Sequence, residues 1–242
     1  MRVGIVTVGD ELLAGETTNT NAAWLAEEVT RRGGRVERIV TIPDEPETVA
    51  DRVATYHDRF DAVLVTGGLG GTHDDLTVPA VADALDREVV VDESARAAVQ
   101  ESATALADDE PELVEQYDLS FDLDAWASLP AGARHVENPV GLAPGAVVDG
   151  VYLLPGVPSE MRGVFGGVAD EFGGDRVSRS IRTPTPEGAM ADTLAAVDDE
   201  FDVAVGSYPS RDDQIVRIRV SGRELAAVER ALDWLRDRID IV

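Results

Sequence analysis

Short apolar runs alternate along most of the chain with longer stretches in which apolar residues return every three or four positions. Residues 3–8 (VGIVTV) are apolar on both faces, the pattern of a central parallel strand. A loop, GDELLAGETT, follows. A helix then begins near Asn19 to Asn21, either of which supplies a cap; it carries Leu25 and Val29 at i, i+4 and stops at Gly33-Gly34. Residues 35–42 read as a second strand. Asp44 and Glu47 have capping-box spacing with Pro46 in the first turn, so a helix runs on toward Tyr56. Residues 62–66 (AVLVT) are a third strand, 77–85 a helix, 88–91 a fourth strand and 92–107 a helix. This alternation predicts a parallel sheet covered on both faces. Residues 108–130 are acidic and weakly patterned, and no element is assigned to them. Order returns at residues 134–137. Val147-Val148 and residues 151–154 flank Asp149-Gly150, a two-residue hairpin turn. Ser159 is expected to cap a helix toward Phe172.

Beyond FGGD at 172–175, which reads as a linker, the rhythm changes. A strand over 177–183, a helix over 187–197 and strands over 202–207 and 214–220 lead into a last helix. Leu225, Val228, Leu232, Leu235 and Ile239 form its apolar stripe. The expected organisation is an α/β domain over residues 1–172 and a small βαββα domain over 176–242.

Composition narrows the picture. The chain has 242 residues, 44% of them apolar, enough for one large domain or a medium one with a small companion. Its formal charge is -26, and all 21 basic residues are arginine. The apolar content is too high and too periodic for a disordered acidic chain. A folded protein adapted to strong salt fits better, because repulsion is screened within about 3 Å at 1 M. Such a charge argues against nucleic acid as partner, since there is no basic face to release counterions. With no cysteine there are no disulfides or thiolate metal sites. The N-terminus lacks a signal-peptide layout, and no apolar run approaches the ~20 residues of a membrane helix. The expectation is a soluble, cytoplasmic protein.

The chemistry concentrates in TGGLGGTHDDLT, residues 66–77, which would lie at the carboxyl end of a strand, where open α/β sheets bind ligands. It is neither a Walker A loop, which needs a Lys-Ser/Thr pair, nor the dinucleotide fingerprint, whose spacing differs. Gly67, Gly68, Gly70 and Gly71 leave backbone N–H groups for an anion nest, and the helix after Thr77 adds its positive end. Asp74, Asp75, Asp10 and Glu11 could hold a divalent cation such as Mg²⁺ that bridges carboxylate and phosphate. Asp74 and Asp75 equally suit a helix cap, Asp10 and Glu11 ordinary surface acids, and Asn19 and Asn21 a cap. His73 reads as a loop residue, and Trp24 and Trp234 as packing residues. NPVGLAPG (138–145) and PGVPSEM (155–161) read first as turns. The residues alone thus point to a metal-assisted phosphate or nucleotide site.

GDELLAGETTNTNAAWLAEEV, TGGLGGTHDDLT, NPVGLAPG and LPGVPSEM, in this order and spacing, resemble the competence/damage-inducible CinA-type family. Its N-terminal domain is similar to the molybdopterin-binding domain of the MoaB/Mog group. The resemblance implies a three-layer α/β/α, mostly parallel sheet over roughly residues 1–170, then a small KH-type α+β domain. It implies metal-dependent hydrolysis of ADP-ribose or a related nucleotide diphosphate. In that reading Asp74 and Asp75 are catalytic, and Asp10, Glu11, Asp74 and Asp75 hold Mg or Co. Gly67, Gly68, Gly70, Thr72, Thr77, Asn19, Asn21 and Gly156 bind substrate. The MoaB/Mog relatives imply an alternative, molybdopterin binding or adenylyl transfer to it. Oligomerisation with copies of itself is implied as well. The resemblance stops before the amidase domain of longer members, so that activity is not carried over. Three departures from the family pattern support a further alternative, a binding module without catalysis. Gly71 stands for a proline, Leu142 for a threonine, and a glutamine expected just before residues 129–130 is missing.

Overall fold

Val63, Leu64 and Val65 are all fully buried, yet successive side chains of a strand point to opposite faces, so the third strand must be covered on both sides. The computed structural model describes residues 1–70, 75–109, 111–112, 122–210 and 215–242. The chain divides into two compact units, Met1–Val29 with Arg35–Phe172, and Thr30–Gly34 with Gly173–Val242.

The first unit opens with β1 (Arg2–Val8), α1 (Asp10–Leu13), α2 (Thr20–Arg31), β2 (Arg35–Ile42) and α3 (Pro46–His57). It continues through β3 (Ala62–Thr66), α4 (Thr77–Ala84), β4 (Val89–Val91), α5 (Glu93–Asp109) and α6 (Leu123–Trp126). It closes with β5 (Ser128–Pro130), β6 (Arg134–Val136), β7 (Gly145–Val148), β8 (Val151–Leu154), α7 (Pro158–Gly166) and a 3₁₀ turn, Ala169–Phe172. The main sheet runs β2-β1-β3-β8-β7-β6, parallel from β2 to β8 and antiparallel from β8 to β6.

Strand alternation sorts the core into two layers. Val6, Val63, Val65 and Leu153 pack with Val49 and Val53 of α3 and Val81 of α4. Ile5, Leu64, Tyr152 and Leu154 pack on the other face with Leu25 and Val29 of α2 and with Met161 and Phe165 of α7. Burying each such side chain contributes about 1.5–3 kcal/mol relative to exposure. The result is the expected three-layer, mostly parallel α/β/α unit. The antiparallel portion follows from the turn. Asp149 and Gly150 have φ of 48° and 80°, the left-handed pair of a tight hairpin, and two residues can only reverse the chain.

Several local expectations are corrected. Residues 10–13, read as loop, form α1. Asp44 does not cap α3: the N-cap is Glu45, without a side-chain bond, and Asp44 Oδ2 instead accepts from the Asp10 N–H at 2.9 Å. Ser159 caps nothing, because α7 already opens at Pro158 and ends at Gly166. The valine run of β4 does not join the main sheet. It pairs with β5 in a separate ribbon, and all three valines are more than 40% exposed. Val89 faces Pro130, whose missing N–H cannot extend the ladder.

The second unit carries β9 (Val177–Thr183), a 3₁₀ turn, α8 (Ala191–Glu200), β10 (Ala204–Pro209), β11 (Val216–Gly222) and α9 (Leu225–Arg236). Its antiparallel sheet runs β10-β11-β9. Val216, Ile218 and Val220 of β11 point inward against Leu194, Val197, Val228, Leu232 and Leu235. This is a small sheet-and-helix domain with the expected βαββα order. Among the described residues no helix is long and apolar enough to cross a membrane.

One packing detail gives a pH dependence. Asp92 Oδ1 accepts from the Ala95 N–H at 2.9 Å and from Ser94 Oγ at 2.5 Å, starting α5. Ser94 Oγ lies 3.3 Å from His135 Nδ1 on β6, and His135 Nε2 is buried without a partner among the described residues. Burial holds the His135 imidazole below its ordinary 6.5, against the opposing pull of Asp92 and Glu137. The unfolded chain therefore binds the extra proton first, and His135 removes stability as pH falls below 6.5. His135→Gln is expected to flatten the acid side of the stability curve, read by urea midpoints between pH 5 and about 7. An unchanged slope would refute the assignment.

Candidate functional site

Threonines sit side by side near the carboxyl ends of three neighbouring strands. Thr7 of β1 is in register with Thr41 of β2 and Thr66 of β3. Thr7 and Thr66 are buried, so their hydroxyls need partners. Asn19 answers on one side: its Nδ2 donates to Thr7 Oγ1 at 2.9 Å and Thr41 Oγ1 at 3.1 Å, while its Oδ1 accepts from the Ala22 N–H at 3.0 Å. Asn19 thus caps α2 and fastens it to the sheet. Asn21 answers on the other, donating to the Gly156 carbonyl at 2.7 Å and Thr66 Oγ1 at 3.3 Å; Thr66 itself donates to the Pro155 carbonyl at 2.6 Å. Asn21 Oδ1 is left buried without a partner among the described residues. Asn21 also helps line a small cavity of about 80 Å³, with Glu11, Thr17, Thr18, Thr66 and Gly156 among others.

The glycine turn leaves β3 under tight constraint. Gly67 has φ +107°, and a Cβ there would lie 2.2 Å from the Val8 carbonyl oxygen. Its N–H donates to the Leu154 carbonyl at 3.2 Å. Gly67 therefore serves close approach of the backbone to β1 and β8, and its N–H is not available to an anion. Gly68, φ +64°, packs against the Thr77 side chain, and the Thr77 N–H donates to the Gly68 carbonyl at 3.1 Å. Thr77 Oγ1 is buried with no partner among the described residues. The N-cap of α4 is Leu76, with no side-chain cap bond, so Asp75 does not cap that helix. Its carboxylate packs instead against Gly70, where a Cβ would lie 2.3 Å from Oδ2.

A larger cavity of about 380 Å³ opens here, lined by Gly68, Gly70, Asp75, Trp126, Leu142 and Glu160 among others. Gly156 borders both cavities. Glu160 was not singled out by sequence reasoning. It stands in the first turn of α7, and a Cβ on Gly141 would fall 2.2 Å from its carboxyl carbon. Asn138 holds it: Nδ2 donates to Glu160 Oε2 at 2.7 Å and to the Ala143 carbonyl at 2.9 Å. Asn138 Oδ1 accepts from the Val140 and Gly141 N–H groups at 3.1 and 3.0 Å. NPVGLAPG is thus a turn, as its composition predicts, and the turn also places a carboxylate. The available signal was the glutamate inside the quoted PGVPSEM segment.

The structure brings Gly68, Gly70, Asp75 and Gly156 to the larger cavity and Glu11, Asn19, Asn21 and Gly156 to the smaller one. Asp10 lines neither of the two; its side chain is exposed on α1. Gly71, Thr72, His73 and Asp74 lie outside the described residues. Among the described residues no group of three or more His, Cys, Asp or Glu side chains could hold a metal ion. The cation site expected from Asp10, Glu11, Asp74 and Asp75 is therefore not assembled by the described members of that set.

The first unit is thus a three-layer α/β/α domain with a glycine turn and two adjoining cavities at the carboxyl ends of β1 and β3. Residues 4–172 match the family described as probable molybdopterin binding domain, and the chain belongs to this family, among its CinA-type members. Residues 175–241 match the middle domain of FAD synthase. A protein of Archaeoglobus fulgidus is 37% identical over 98% of this chain and 97% of its own length. A CinA-like protein of Citrifermentans bemidjiense is 40% identical over 66% of this chain, which spans 38% of that protein. The crystal structure of the protein CinA, of unknown function, from Thermoplasma acidophilum matches with a TM-score of 0.62 and 31% identity. It covers 72% of this chain and 99% of its own.

Proposed function

We propose that the N-terminal unit binds a phosphorylated pterin of the molybdopterin class at the carboxyl ends of β1, β3 and β8. One observation carries this reading: two carboxylates, Asp75 and Glu160, line the same cavity as Trp126 and Leu142. A pterin presents ring N–H and amino groups that carboxylates accept, on a flat face that an indole and a leucine cover. The cavity of about 380 Å³ is of the size that holds such a ring. The buried Thr77 hydroxyl, unpartnered beside Gly68, supplies a donor for a phosphate oxygen, and the Asn21 oxygen an acceptor for a ligand hydroxyl. The family match supports the same ligand class.

Calorimetric titration with a pterin-6-ylmethyl phosphate tests it. Saturable binding is expected, weakened about tenfold or more by Glu160→Gln and by Asp75→Asn, because each substitution removes a charge-assisted hydrogen bond. Absence of binding to a cooperatively melting protein would overturn it.

The same pair of carboxylates also suits a second reading, metal-dependent hydrolysis of a nucleotide diphosphate such as ADP-ribose. Release of AMP from ADP-ribose in molar KCl, with Mg²⁺ or Co²⁺ present and lost on chelation and in Asp75→Asn, would put this reading in place of the first. Nucleotide consumption only in the presence of pterin would identify adenylyl transfer. Pterin binding with neither reaction would identify a binding module.

A further inference from the structure

The chain carries 47 acidic residues against 21 arginines, yet not every arginine has a carboxylate partner among the described residues. Three arginines without one converge near the amino-terminal end of β1, away from the threonines and glycines described above. Arg2, Arg38, Arg52 and Arg59 line a cavity of about 670 Å³ together with Tyr56 and Phe60. Arg2 is engaged: its backbone N–H donates to Asp61 Oδ2 at 2.7 Å, and its guanidinium meets Oδ1 at 3.4 Å. The other three have no carboxylate within ion-pair distance among the described residues. Arg38 donates only to the backbone carbonyl of Glu37, at 2.7 Å. Arg52 lies 5.7 Å from the centre of the Tyr56 ring, and its Nε is buried with no partner among the described residues. Two acids also border the cavity. Glu37 is drawn to Arg35 at 3.9 Å, and Asp58 is exposed just after α3.

The wall behind these guanidiniums is firm. Tyr56 and Phe60 meet edge to face at 5.0 Å. Both close directly onto β1 because Gly4 has no side chain; a Cβ there would lie 2.6 Å from each ring. Guanidinium forks with unused donors, lining a cavity beside an aromatic wall, match an anion that offers several oxygens in one plane or cluster. Phosphate and diphosphate do so. The cavity exceeds what a lone phosphate fills and lies in the range of small-molecule sites.

We propose that this cavity is a second ligand site of the N-terminal unit, which takes a phosphate-bearing small anion of the diphosphate or nucleotide class. The proposal is independent of the pterin reading, since the two sites share no lining residue.

The test is calorimetric titration of the whole chain with inorganic pyrophosphate and with ADP. It compares wild type, the triple variant R38Q/R52Q/R59Q and a control, R134Q, whose arginine pairs with Glu171 at 2.6 Å outside the cavity. Wild type and R134Q are expected to bind with equal affinity. The triple variant should lose a binding event or at least tenfold in affinity, as expected when charge-assisted bonds are removed. Arg59 is exposed, so R59Q alone carries the test if the triple variant does not fold. Tighter binding of ADP than of pyrophosphate would assign the site to a nucleotide, with the base against the aromatic wall; equal binding would assign it to the free diphosphate. Binding by the arginine variants that matches wild type, or no binding of either anion by wild type, would overturn the proposal.

Discussion

Gly67→Ala is expected to destabilise the N-terminal unit by roughly 3 kcal/mol or more and to abolish ligand binding at the glycine turn. Two costs coincide at this position. The φ of +107° is one that side chains rarely adopt, and the added Cβ would lie 2.2 Å from the Val8 carbonyl oxygen. That oxygen belongs to the strand backbone, so nothing flexible can move aside. The turn would have to lift away from β1, taking with it the Gly67 N–H bond to Leu154 and the seat of Gly68 against Thr77. Gly132→Ala separates the two costs. Gly132 also has positive φ, +83°, but its Cβ would meet only Arg87 Nη1, at 3.9 Å. That variant should lose only about 1 kcal/mol. Thermal melts of the two variants side by side check the argument, with a fall on the order of 10 °C expected for the first. Equal, small shifts would show that the close approach of Gly67 to Val8 is unimportant.

Asn138→Asp should cost roughly 3 kcal/mol at neutral pH although it changes almost no volume. Asn138 is buried, and its amide nitrogen is the donor that both the Ala143 carbonyl and Glu160 Oε2 accept from. An aspartate at that place has no donor and sets a second carboxylate against the first. Two such groups cannot both ionise cheaply, so in the folded variant the pair holds a proton above the ordinary carboxylate range of about 4. The folded state then binds more protons than the unfolded one, and the lost stability returns as pH falls toward that range. Urea unfolding of the variant across pH, with N138D/E160Q as the double variant that removes the repulsion, is the measurement. A variant as stable as wild type at pH 7, or one whose deficit does not shrink in acid, would refute the role given to Asn138. Pterin-phosphate binding should weaken in the same variant, because Glu160 is no longer held toward the cavity.

Much of the fold was legible along the chain because the deciding interactions are local. Strands buried on both faces show as unbroken apolar runs, as in β1 and β3. The Asp149-Gly150 pair announces a hairpin because those two residues tolerate left-handed backbone. The second unit could be read from the change of rhythm after residue 175 and the three-to-four spacing of apolar residues in α9. Errors fell where a local signal met a tertiary competitor. Asp44 has the spacing of a cap, but the Asp10 N–H, distant in sequence, claims its carboxylate. The valines of β4 have the composition of a buried strand, but among the described residues they pair with a three-residue strand that ends in proline.

The candidate site divides in the same way. The amino-acid sequence by itself determined the three-layer architecture, the glycine turn after the third strand, a helix start near Asn19 to Asn21 and the turn at NPVGLAPG. Each rests on backbone conformations or periodicities that neighbouring residues impose. Only the tertiary structure decided what the polar side chains do. It aligned Thr41, Thr7 and Thr66 in one row, since register is a relation between strands. It spent both amides of Asn19 and Asn21 on that row, and it committed the Gly67 N–H to Leu154. It brought Asp75 and Glu160 to one cavity and gave three arginines of another no carboxylate within ion-pair distance among the described residues. A hydrogen bond or an unpaired charge is settled by which groups meet in space, and those groups come from segments far apart in the chain.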